Sequence, residues 1–137
     1  MQIIAVRMTI HGPGEYSAIR SQDQKAMTDM IIVTLRMTVR PDRRKDLAET
    51  IRGMLEPTRV ERGCISYCLY EDIENKNTFT LVEEWKTLDD LEKHVRTDNY
   101  RRLLALMDLL SVPPQLEFNT VSQTAGMEFL STVLCKT

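Results

Sequence analysis

The chain has 137 residues, 42% of them hydrophobic and 28% charged, with a formal net charge of −2. That balance suits one folded domain rather than a disordered chain. Acids and bases are intermixed, which leaves no basic surface for nucleic acid and no polybasic face for a membrane, and no apolar run approaches the ~20 residues needed to span a bilayer.

Residues 1–29 read as an extension ahead of a domain covering 30–137. The opening "MQIIAVRMTIHGPG" carries a charge inside its apolar stretch and lacks the continuous core of a secretory signal, so a cytoplasmic location is expected. Shifted by 29 positions, "MQIIAVRMTIH" falls on "MIIVTLRMTVR" with five identities in eleven. If this is a true repeat, residues 2–10 form an extra strand able to pair with a sheet edge of its own chain or of a partner. If the match is chance, the extension stands outside the fold and Met30 opens the domain. Residues 12–29, with Gly12-Pro13-Gly14, read as a linker, and His11 carries no assigned role.

Residues 31–39, "IIVTLRMTV", are β-branched and apolar and predict a strand. Pro41 and Asp42 break it, and Asp42 is placed to cap a helix. Leu47, Ile51, Met54 and Leu55 recur at helical spacing over 43–55, with Pro57 and Gly63 marking the exit. "CISYCLYED", 64–72, and "TFTLVEEW", 78–85, form two strands joined by the polar turn 74–77, a hairpin. Thr87 with Asp90 matches a capping pattern for a helix whose apolar face is Leu88, Leu91 and Val95. Thr97-Asp98 caps a second helix with a stripe of Tyr100, Leu103, Leu104, Met107 and Leu110, which Pro113-Pro114 ends. "QLEFNTVS", 115–122, alternates as a fourth strand, and 126–137 reads as a short closing helix.

The order β-α-β-β-α-β is the ferredoxin-like split β-α-β arrangement, an α+β fold. The strands read as apolar on both faces: Val33, Leu35 and Met37 against Ile32, and Ile65, Tyr67 and Leu69 against Cys64, Cys68 and Tyr70. Two helices cover one face of a four-stranded sheet. A second copy is the simplest cover for the other, which predicts a homodimer with sheets packed face to face or closed into an α/β barrel. Cys64 and Cys68 would lie roughly 13 Å apart in an extended strand, too far for a disulfide. No C-x-x-C occurs, so the thiols read as reduced and no metal site is expected.

Three segments carry a family likeness: "VTLRMTVRPDRRKDL", "RVERGCISYCLYED" with its E-x-G-C-x-x-Y spacing, and "NTFTLVEEWKTLDDLEKHVRTDNY" with E-x-W followed by a histidine. In this order, over residues 31–122, they resemble the antibiotic biosynthesis monooxygenase family of dimeric α+β barrels. The resemblance implies a cofactor-independent oxygenase acting on a small aromatic or quinol-type molecule, although the family also holds members without assigned activity. Its haem-degrading branch uses an asparagine on the first strand. Leu35 and Arg36 stand at the nearest positions here, which argues against haem.

Such chemistry needs an aromatic-lined pocket between sheet and helices, a base, and donors for a substrate oxyanion. Trp85 offers a stacking surface and an indole donor, and His94 titrates near neutral pH. These two are the candidate catalytic residues. Glu83, Tyr67, Tyr70, Tyr100 and Arg36 are candidates for substrate binding. Each also has a plainer reading: Trp85 and the tyrosines as core, His94 as a helix-rim residue, Glu83 as a buried structural carboxylate, and Arg36 as one half of an ion pair. A non-catalytic module that binds a small molecule in the same barrel is the competing reading of the whole.

Overall fold

The computed structural model describes residues 5–8 and 29–136. Its strands are β1 (Ala5–Met8), β2 (Met30–Thr38), β3 (Cys64–Glu71), β4 (Thr78–Trp85) and β5 (Gln115–Val121). Its helices are α1 (Arg44–Arg59), α2 (Leu88–Val95), α3 (Asp98–Ala105) and α4 (Met127–Leu134). The strands make one sheet in the order β1-β5-β2-β4-β3, every neighbour antiparallel. From β2 onward this is the split β-α-β arrangement of an α+β domain. β1 pairs with the outer edge of β5 in the same chain. The expected linker lies outside the described residues apart from Asp29, and so does His11.

The sheet register explains where the core sits. Along β2, Ile31, Val33, Leu35 and Met37 are buried, as the period-2 alternation of a strand requires. They lie opposite Trp85, Glu83, Leu81 and Phe79 of β4, and Tyr67 and Leu69 of β3 continue the rows. Against this face pack Leu47, Ile51 and Met54 of α1, Leu88 and Leu91 of α2, and Tyr100 and Leu103 of α3. α2 and α3 start where expected, since the hydroxyls of Thr87 and Thr97 accept from the amides of Asp90 and Tyr100.

Four expectations are corrected. A bulge between Cys64 and Ser66 inserts one residue into β3. Cys64 therefore joins the helix-covered face opposite Trp85, while Ile65 stands 46% exposed; one extra residue reverses strand parity. Pro57 does not end α1, which runs on to Arg59. So near the helix end its missing N–H removes only one bond, that to the Gly53 carbonyl. Asp42 makes no capping bond and lies in a 3-10 turn, Pro41–Arg43. On α2 the buried face is Leu88, Leu91, Glu92 and His94, with Val95 turned outward.

The sheet's opposite face is more polar than the sequence suggested. Ile32, Thr34 and Arg36 of β2 are registered there with Thr80, Val82 and Glu84 of β4 and with Ser66, Cys68 and Tyr70 of β3. Most of these side chains are half-buried. Among the described residues, no helix is long and apolar enough to cross a membrane.

Candidate functional site

Alternation along β4 puts Glu83 and Trp85 side by side under the helices. Both are almost fully buried, and the indole Nε1 donates to Glu83 Oε1 at 3.0 Å. α2 drops His94 onto them. The imidazole stacks on the indole with ring centroids 4.6 Å apart and 29° between planes. Tyr67 and Tyr100 meet the imidazole edge-on, at 5.8 and 5.3 Å. The histidine is thus boxed by three aromatic rings, and its side chain is 1% exposed.

Each ring nitrogen faces a carboxylate. Nδ1 lies 2.6 Å from Glu61 Oε2. Nε2 lies 3.3 Å from Glu83 Oε1, within ion-pair reach but not aligned as a hydrogen bond. Glu61 arrives from the turn between α1 and β3. There Gly63 takes φ +80°, open to glycine at little cost, and its carbonyl accepts from Lys86 N at 2.9 Å. That bond ties the turn to the end of β4, just ahead of the cap of α2.

Burial alone would push His94 toward its neutral form, but the carboxylates of Glu83 and Glu61 outweigh it and raise its proton affinity above the ordinary imidazole value. The neighbouring groups are driven away from ionisation. Burial, and then the Glu83 charge, holds the Tyr67 phenol far above the usual range and lifts Tyr100 to about 12. The same two causes, in the same order, lift the Cys64 thiol to about 11. At neutral pH these three are neutral walls rather than bases or nucleophiles.

The structure therefore gathers Trp85, His94, Glu83, Tyr67 and Tyr100 in one cluster. Arg36 and Tyr70 do not join it. Both lie on the opposite face in register with Thr80; Arg36 pairs with Asp72 at 3.2 Å, and Tyr70 is 56% exposed. The indole donor expected to meet a substrate oxyanion is already given to Glu83. His94, whose plainer reading is a helix-rim residue, is buried between the sheet and the helices. Glu61 was missed. Its one signal in the sequence is its place in "ERGC", two residues before the glycine whose turn presents it.

The family description "Antibiotic biosynthesis monooxygenase" matches residues 30–106, and the chain belongs to this family. Among curated relatives, a Synechocystis protein named "Uncharacterized protein sll1783" is 30% identical over 105 residues, covering 76% of this chain and 71% of its own. A Mycobacterium tuberculosis protein, "Putative monooxygenase Rv0793", is 33% identical over 88 residues, 64% of this chain and 86% of its own. The solved structure of Rv0793 superposes with a TM-score of 0.66 at 30% identity, over 71% of this chain and 99% of that one.

Proposed function

We propose that this protein is a cytoplasmic, homodimeric, cofactor-independent monooxygenase acting on a small aromatic or quinol-type compound at the edge of the Trp85–His94 stack. The observation that carries this reading is a buried imidazole set between two carboxylates and stacked on the indole, within a fold shared with proteins named as monooxygenases. A phenol binding there gives up its proton toward Glu83, and the electron-rich anion then reduces oxygen. One oxygen atom enters a ring carbon and the other leaves as water, with the substrate supplying the electrons. His94, whose proton affinity the two carboxylates raise, offsets when protonated the negative charge that collects beside Glu83, in a low-dielectric setting where such compensation is worth most.

A second reading is a non-catalytic small-molecule-binding module. It is favoured by the state of the two candidate catalytic residues: the indole N–H and the His94 Nδ1 are hydrogen-bonded within the chain, so neither is free to act on a substrate. Oxygen consumption with dihydroxynaphthalenes and quinols separates the two. Catalysis predicts uptake that falls by about 100-fold or more in His94→Gln and Glu83→Gln, the usual scale for a lost acid–base group. Saturable binding of the same compounds without oxygen uptake would leave the binding module standing and remove the enzyme.

A further inference from the structure

We propose that Glu61 is the positioning residue of this site: it fixes the orientation of the His94 ring and serves as the contact through which that ring exchanges protons with water. The inference rests on the preceding reading only for the reaction it assists, since the geometry of the contact stands by itself.

Three observations carry it. The Glu61–Nδ1 contact, at 2.6 Å, is short for a nitrogen donor, as a charge-assisted bond between imidazolium and carboxylate would be. Second, the side chains of His94 and Glu83 are each 1% exposed, whereas that of Glu61 is 27% exposed. Of the three, Glu61 alone has appreciable contact with water. Third, the groups facing the imidazole are Glu83 and Trp85 from β4, Tyr67 from β3, Tyr100 from α3 and Glu61. The two phenols stay protonated, so Glu83 and Glu61 are the carboxylates that set the ring's charge.

The proton balance is simple. The Nδ1–H bond breaks toward Glu61 Oε2, the nitrogen keeps the electron pair, and Glu61 passes the proton to water. The Nε2–H bond stays intact, 3.3 Å from Glu83, and no electrons move. Reversal reloads the ring. Binding Nδ1 in this way also selects which nitrogen faces Glu83, the job that a second carboxylate performs for many functional histidines.

The test is nitrogen-15 and carbon-13 NMR of the His94 ring across pH in the full chain, without substrate. Glu61→Gln, close in shape but uncharged, is expected to weaken proton binding by His94 about tenfold or more, and Glu61→Asp to recover part of that loss. In the wild type the Nδ1–H resonance should lie far downfield wherever the ring is charged. An unchanged titration in Glu61→Gln overturns the proposal, as does equal loss in the Gln and Asp variants. If Glu61→Gln does not fold, a wild-type ring lacking the downfield Nδ1–H signal overturns it just as well. A separate arm follows oxygen uptake: the pH profile of Glu61→Gln should move toward acid. Absence of uptake by the wild type removes the monooxygenase reading, while the NMR result still decides the role of Glu61.

Discussion

At the scale of single residues, His94 is an ionisable ring placed where water does not reach, with neighbouring carboxylates that favour its charged form. The consequence for stability has a definite sign. Because folding raises its proton affinity, the contribution of His94 is complete below the ordinary histidine value near 6.5 and is lost as pH climbs through the raised folded value. Urea midpoints measured from pH 6 to 9 should therefore decline across that window. The decline should flatten in His94→Gln, which cannot titrate. Glu83→Ala strips one carboxylate from a buried charge and should cost about 3–5 kcal/mol. A midpoint indifferent to pH, or one that rises, would contradict the charged ring. Strand alternation in the sequence puts Glu83 and Trp85 on one side of their strand, which is simple to read. It did not show that their polar atoms satisfy one another. Glu61 and His94 are separated by 33 positions, and no periodicity links a turn residue to a helix.

Between elements, the turn at Gly63 couples the start of β3 to the start of α2. A Cβ added at Gly63 would collide with the Asp90 carboxylate, which also accepts from the Thr87 hydroxyl at 2.9 Å. Gly63→Ala thus meets two penalties, a left-handed backbone worth about 1–2 kcal/mol for an L-residue and a disturbed helix cap. Thermal melting should drop by about 4 °C or more. Gly53→Ala is the control. It lies within α1 with nothing near its added Cβ, and should gain about 0.5–1 kcal/mol. If both substitutions behave alike, the turn has no special part. Element positions were legible to within a residue or two for every described strand from β2 onward, because Pro, Gly and polar turns bracket them. Two features were hidden. The bulge in β3 shifts parity without any glycine to announce it. On α2, His94 and Val95 lie three and four positions after Leu91, so helical spacing alone could not say which one faces inward.

For the molecule as a whole, helices α1 to α3 bury their apolar residues on one side of the sheet, and the half-buried row containing Ile32 and Val82 lies on the other. A partner sheet over that row is the basis of the proposed homodimer. Sedimentation should give twice the chain mass of 15.9 kDa. Val82→Glu, at the middle of β4, should shift the population to monomer while preserving the circular dichroism of the fold. A wild-type monomer at micromolar concentration would refute the dimer. The β-α-β-β-α-β order was readable because each element is short and well punctuated. The polarity of the second face was less so, since Thr34, Thr80 and Ser66 sit in runs that look apolar when taken as segments.

β1 also changes what the sheet offers at its rims. By lying along β5 it covers Phe118–Val121, four of the seven residues of a strand that would otherwise be the border. The opposite border, β3, is interrupted by its bulge. Covered borders and kinked borders are both poor templates for a foreign strand. Growth of the ladder from chain to chain is thereby discouraged at either end, and a concentrated solution should resist fibril formation even though the strands themselves are rich in residues that favour it.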